Sequence, residues 1–172
     1  MMKFTIFETK WGYFGLTGTE KGLFRSHLPA ADEKRVRANL LKNLTDPAYD
    51  KDLLKSVQRQ IAAYFEGECV NFDADTPILT YGFSRFTTLA LAACREITYG
   101  RTISYGQLAT VIKYPRAARA IGRALSANRL PLLIPCHRVI KSDGNLGGFS
   151  PVAGGPALKK RLLLHEKRCL QQ

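Results

Sequence analysis

Apolar and polar residues alternate along three stretches near the N-terminus, KFTIFET, KWGYFGLTG and KGLFRSHL. Gly12, Gly15, Gly18 and Gly22 punctuate aromatic and β-branched positions there. A period of two broken by glycines predicts a small antiparallel meander with tight turns. The period then lengthens. Val36, Leu40, Leu41 and Leu44 fall at helical spacing and predict a helix over 32–44, closed by Asp46-Pro47. Asp50 is placed to cap a second helix through Leu53, Leu54, Val57, Ile61 and Phe65, with Gly67 as its stop. Residues 69–82 keep no period, carry Asp73, Asp75 and Pro77, and read as a linker that closes a first domain, 1–82.

The remaining chain, 83–172, reads as mostly helical. One helix is expected over 83–97, ended by Tyr99-Gly100. Ser104 is a good N-cap for SYGQLATVIK, Lys113-Tyr114-Pro115 makes a turn, and PRAARAIGRALSAN opens a further helix with proline at its favoured first position. Helix, short turn, helix is the helix-turn-helix pattern. PLLIPCHRVI follows as a proline-bounded apolar run, then the loop-rich SDGNLGGF and PVAGGP, and a basic amphipathic helix in ALKKRLLLHEKRCL. The fold class expected is α+β: a small N-terminal antiparallel sheet with helices, then a mostly helical C-terminal domain with a helix-turn-helix.

Charge sharpens this picture because it is unevenly spread. The 172-residue chain has a net charge of +12. Through Gly82, eleven Lys/Arg balance eleven Asp/Glu; from Phe83 onward, fifteen Lys/Arg face only Glu96, Asp143 and Glu166. A one-sided excess is the electrostatic footprint of a polyanion binder. In the helix-turn-helix, Arg116, Arg119, Arg123 and Arg129 alternate with Ala117, Ala118, Ala120, Gly122, Ala124 and Ala127. Small residues permit close approach to another surface, and arginines three and four apart suit phosphate contacts. The plainer alternative is an alanine-rich core helix with a solvated basic face. No apolar run reaches the roughly 20 residues that span a bilayer, and MMKFTIFETK has no apolar leader segment, so an intracellular protein is expected, cytoplasmic or nucleoid-associated, or nuclear in a eukaryote.

Four cysteines, Cys69, Cys94, Cys136 and Cys169, form no CxxC pair and no zinc-like spacing with histidine. Cys94, in LALAACREI, reads as a small buried hydrophobe; Cys69 and Cys169 sit among polar residues. Only Cys136 has chemical neighbours. A thiol is a good nucleophile only as its anion, and a nearby base makes ionisation easier. Adjacent strand residues face opposite ways, so Cys136 and His137 meet only if the backbone turns, which Pro135 makes plausible, or through a water. Glu166 is placed to orient the imidazole. The alternatives are an inert thiol, a core histidine, and a surface ion pair of Glu166 with Lys159 or Lys160.

PCHRV, with SYGQLA and RAARAIG upstream and LLLHE downstream, resembles the O6-alkylguanine-DNA alkyltransferase family over essentially all of 83–166, and the YFEG helix ending suits that family's variable first domain. The resemblance implies a direct-reversal repair reaction in duplex DNA, irreversible and without cofactor or metal, by a monomer. Cys136 matches the alkyl acceptor, His137 the base acting through a water, and Glu166 the acid that orients it. Asn128 matches the residue tying the recognition helix to the thiol segment. Arg119 matches the side chain that fills the stack behind the flipped base, with Arg116, Ala117, Ala118, Gly122, Arg123 and Ser104 along the minor-groove face. Tyr105 matches the tyrosine that reads guanine and donates a proton to it. Pro131, Val139, Phe149, Ser150 and Lys159 complete the substrate-binding set, with Ser150 offering its backbone N–H to O6 and the Cys136 and Val139 carbonyls facing the exocyclic amine.

Three stretches depart from the family pattern. Phe149 stands where many relatives carry tyrosine, PVAGGPALKK lengthens the loop at 151–156, and FSRFTT replaces a proline-phenylalanine-glutamine start. Preference among alkyl groups, action on O4-alkylthymine and cooperativity along DNA stay open, as do a non-enzymatic lesion binder, an alkylation sensor and a cysteine hydrolase.

Overall fold

The computed structural model describes residues 1–72, 76–149 and 155–171. The chain divides into two compact units, Met1–Leu79 and Thr80–Gln172.

In the first unit, β1 (Lys3–Thr9), β2 (Gly12–Thr19) and β3 (Gly22–Ala30) form the expected antiparallel meander. A two-residue strand, β4 (Ala48–Tyr49), adds parallel to β1 and gives the order β3-β2-β1-β4. Two residues are too few for a period, so the sequence pattern missed it. Helix α1 (Glu33–Leu40) starts as expected, with the Asp32 side chain accepting from Lys34 N. It stops short of residue 44. Arg25 reaches over from β3 and donates to the carbonyls of Leu40 and Lys42, at 2.9 and 2.8 Å, which satisfies the last turn at that point. Helix α2 (Lys55–Glu66) ends at Gly67 as predicted but begins after Leu54, which has a left-handed backbone. Asp50 caps the preceding turn instead, accepting from Asp52 N at 3.0 Å. A Cβ on Gly15 would lie 2.7 Å from Leu40 Cδ2, so the bare glycine is what lets α1 close on the sheet. Phe4, Phe14, Leu16, Val36, Leu40, Ile61 and Phe65 fill the space between. Near the end of the stretch read as a linker, Leu23 bonds Pro77 O and Leu79 N on the edge of β3, at 2.9 and 2.7 Å.

The second unit opens with α3 (Arg85–Arg95), capped by Ser84, whose hydroxyl accepts from Thr87 N at 3.1 Å. Next come β5 (Ile103–Ser104) and α4 (Tyr105–Val111). Ser104 and Gln107 form a reciprocal capping box. Helix α5 (Ala118–Ser126) completes the helix-turn-helix. Its start corrects the sequence expectation: Pro115 and Arg116 lie in the turn and Ala117 is the N-cap, so proline is not the first helical residue. Lys113, with φ 65°, turns the chain ahead of it. The run PLLIPCHRVI breaks into a 3-10 turn, Cys136–Arg138, then β6 (Val139–Ile140), which pairs parallel with β5. Helix α6 (Gly155–Cys169) closes the unit. Cys94 is buried as expected; Cys169 is buried too, against the polar surroundings its neighbours in sequence suggested. No helix among the described residues is long and apolar enough to cross a membrane.

Candidate active site

The backbone turn demanded by Cys136 and His137 is present: it is the 3-10 turn after Pro135. The turn points the imidazole inward, where His137 is fully buried, and leaves Cys136 partly exposed. Asn128, just past α5, holds the turn from the other side. Its amide nitrogen donates to Ile134 O at 3.0 Å and to Cys136 Sγ at 3.2 Å, while its carbonyl accepts from Leu130 N at 2.9 Å. One side chain thus joins the end of the helix-turn-helix to the thiol.

Glu166, on α6 and 1% exposed, accepts from His137 Nε2 at 2.7 Å. It also takes Gly100 N at 2.9 Å, Arg138 Nε at 3.0 and 3.2 Å, and Arg138 Nη2 at 3.0 Å. The alternative of a surface pair with Lys159 or Lys160 is therefore overturned: the ion-pair partner of Glu166 is Arg138. Burial alone would raise the carboxyl's affinity for a proton, but the hydrogen bonds from His137 and Arg138 and the Arg138 charge outweigh it and hold the pKa at about 2. A carboxylate can only accept, so Nε2 carries the proton and Nδ1 carries the lone pair. Nδ1 is buried with no hydrogen-bond partner among the described residues. Burial, reinforced by the charges of Arg138 and Lys159, pushes the imidazole pKa below its usual value despite Glu166. The ring is a neutral base. Burial pushes the Cys136 thiol up, against the Asn128 hydrogen bond and the Lys159 charge. The thiol keeps its proton at neutral pH unless a base takes it.

Lys159 is fully buried on α6. Its ammonium donates to Val139 O at 2.6 Å and sits 3.4 Å from Gly148 O and 3.5 Å from the Tyr105 hydroxyl. Burial lowers its pKa, with the thiol opposing, and burial raises that of Tyr105. The Val139 carbonyl expected to face substrate is thus already one partner of Lys159, with its second lone pair unassigned. Pro131 is buried beside Leu132, and Phe149 is half-buried. Ser150 and residues 151–154 of the lengthened loop lie outside the described residues.

Arg116, Arg119 and Arg123 are exposed. Arg119 and Arg123 share a face of α5, whereas Arg116 belongs to the turn. Arg129 leaves that face: its guanidinium lies 4.0 Å from the Phe83 ring centroid and donates to Tyr81 O. Ala118 and Gly122 leave α5 bare on one side, and a Cβ on Gly122 would come 3.9 Å from the Tyr105 ring. The Ser104 hydroxyl is used as the cap of α4, accepting from Gln107 N at 3.1 Å. No cluster of three metal-ligating side chains occurs among the described residues.

Sequence reasoning gave Arg138 no role. Its signal was present, an arginine inside an otherwise apolar run, which a fold tolerates only where a buried carboxylate meets it.

A thiol held by an amide, a histidine pinned by a buried acid, and a helix-turn-helix followed by the residue that grips the thiol turn mark a protein that joins a cysteine site to a helix-turn-helix. Two family descriptions match this chain: "6-O-methylguanine DNA methyltransferase, DNA binding domain" over residues 85–168, and "6-O-methylguanine DNA methyltransferase, ribonuclease-like domain" over residues 2–78. The chain is a member of the 6-O-methylguanine DNA methyltransferase family. A methylated-DNA–protein-cysteine methyltransferase of Methanosarcina barkeri is 36% identical over 99% of this chain and 100% of that protein. One of Cricetulus griseus is 34% identical over 96% and 82%. The structure of Mycobacterium tuberculosis OGT in complex with DNA is 30% identical, covers 97% of this chain and 94% of that one, and superposes with a TM-score of 0.79.

Proposed function

We propose that the protein repairs alkylated DNA by direct reversal, with Cys136 taking the alkyl group from O6 of a guanine turned out of the duplex. His137 Nδ1 takes the thiol proton, through a water. The thiolate attacks the alkyl carbon; the S–C bond forms and the C–O6 bond breaks. Guanine leaves with the electron pair and takes a proton from the Tyr105 hydroxyl. The thioether has no leaving group that water displaces readily, so each molecule acts once. Glu166 orients the base, and Asn128 positions the sulfur. Pro131, Val139, Phe149, Ser150 and Lys159 line the pocket. Arg116, Arg119, Arg123, Ala117, Ala118, Gly122 and Ser104 meet the DNA, with Arg119 entering the stack. The first domain, 1–82, supports the reacting domain, 83–172, and the protein works as a cytoplasmic monomer.

The observation that carries this reading is the buried Nδ1 of His137, without a hydrogen-bond partner among the described residues, on the residue that follows a partly exposed thiol. Extruding a base costs a few kcal/mol, which phosphate contacts from the basic unit help to offset.

The test is intact mass and peptide mapping after mixing the protein with a duplex carrying one O6-methylguanine. One methyl group on Cys136 per molecule, with no turnover, is the expected result, and Cys136→Ser removes it while DNA binding remains. Tight binding with Cys136 unmodified would leave a lesion binder; repeated turnover on an ester would leave a hydrolase.

A further inference from the structure

Beside the buried Lys159, four groups in this site carry or can carry full charge: Cys136, His137, Arg138 and Glu166. Three of them have a place in the reaction proposed above. Arg138 does not, yet it is 4% exposed and tightly held. Its Nη1 donates to Ile97 O, its guanidinium lies 5.5 Å from the Tyr99 ring centroid, and Nε and Nη2 make three contacts of 3.0–3.2 Å with the Glu166 carboxylate. Glu166 is further anchored by Gly100 N.

We infer that Arg138 is a positioning residue of thiol activation: it neutralises Glu166 permanently, so that His137 remains an unprotonated base rather than becoming the carboxylate's counter-ion. The inference rests on the repair reading of the site.

The charge count gives the reason. Before proton transfer, Glu166 and Arg138 cancel, and His137 and Cys136 are neutral. After transfer, imidazolium and thiolate cancel as well. The quartet is neutral before and after, so the proton moves from sulfur to Nδ1 without changing its net charge, and the buried Lys159 adds a constant positive charge outside it. Without Arg138 the carboxylate would stand alone beside His137. An uncompensated buried charge is relieved by binding a proton, and the imidazole is the group placed to hold it. A doubly protonated ring has no lone pair for the thiol. The other charged group acting on the ring is Lys159 from α6, while Cys94 from α3 and Tyr105 from α4 act on the thiol. Burial keeps the Cys94 thiol and the Tyr105 hydroxyl protonated, and Lys159 supplies positive charge that opposes protonation of the ring in the same sense as Arg138. Lys159 is bonded to carbonyls and not to the carboxylate, so it does not replace Arg138 there.

The test reads the pH profile of Cys136 modification by iodoacetamide, followed on the Cys136 peptide, and of alkyl transfer from O6-methylguanine DNA, in the full-length protein. Arg138→Gln is expected to move the acid limb of both profiles up by about one pH unit or more, the scale for losing a neighbouring charge. Arg138→Lys is expected to restore the midpoint, with a lower rate because the fork is lost. Should Arg138→Gln fail to fold, nitrogen NMR of His137 in the unaltered protein decides. A neutral, Nε2-protonated ring from pH 6 to 8 is expected, and an imidazolium at pH 7 would overturn the inference. So would a folded Arg138→Gln protein whose rates fall equally at every pH. If the unaltered protein transfers no alkyl group, the repair reading fails, while the iodoacetamide and NMR results still judge Arg138.

Discussion

The Asn128 amide reaches Cys136 Sγ at 3.2 Å while the same side chain accepts from Leu130 N at 2.9 Å, so the last residue contacts of the helix-turn-helix are also contacts of the thiol. Asn128→Ala deletes both at once. It strands the Leu130 amide, at a cost of about 1–3 kcal/mol for a group left unsatisfied in the interior, while the Ile134 carbonyl keeps its bond from Cys136 N at 2.8 Å. It also removes a donor that favours the thiolate. Urea unfolding should show the loss of stability, and the pH titration of Cys136 reactivity should shift to higher pH.

Glu166 makes stability depend on acid. Its pKa falls from an ordinary 4.5 to about 2 on folding, so the unfolded chain binds the proton more readily. Its contribution is complete above pH 4.5 and is lost as the pH falls toward 2. The shift corresponds to about 3 kcal/mol. Denaturation at pH 7, 4.5, 3.5 and 2.5 should show that loss, and Glu166→Gln should flatten the dependence. That variant should also be less stable at pH 7, by about 3–5 kcal/mol, because Arg138 is left buried without its partner.

Gly147 has φ 70° and lies against Tyr105, where an added Cβ would come 2.9 Å from the hydroxyl. Gly147→Ala should cost about 1–3 kcal/mol in backbone strain and displace the ring or the loop. Transfer should slow by more than the stability loss explains, which single-turnover kinetics at fixed folded fraction would reveal.

The arginines of the helix-turn-helix should separate into two kinds. Arg119→Ala and Arg123→Ala should each reduce the slope of log affinity against log salt by about one, the signature of a lost phosphate contact. Arg129→Ala should leave that slope unchanged and lower the melting temperature, because its guanidinium stacks on Phe83 and bonds Tyr81 O. Fluorescence anisotropy across a salt series distinguishes them.

Much of this was legible in the chain. Alternation and glycine spacing predicted the meander, and Ser104, read as a cap, lies at the start of α4. The family emerged from PCHRV and its flanking motifs. What the sequence hid depends on contacts distant along the chain. Arg25 ends α1 from another element, β4 exists only because β1 offers an edge, and Pro115 stands outside α5 because Lys113 has already turned the backbone. Arg129 follows its neighbours in the same basic stretch, and nothing local shows that Phe83 takes it away. Arg138 was hidden for a related reason: the residue that makes it tolerable, Glu166, lies 28 positions further on.

The ladder between β5 and β6 has only two residue pairs, Ile103 with Val139 and Ser104 with Ile140. It nevertheless acts as a gauge block. Tyr105 begins immediately after one strand and Cys136 stands three residues before the other, so the offset between the phenol and the sulfur is set by this register. Inserting one glycine between Arg138 and Val139 would leave every α-helix able to form and every reacting group in the chain. The thiol would then be carried out of alignment with the phenol, and a protein that lacked nothing in composition would have lost the calibration of its site.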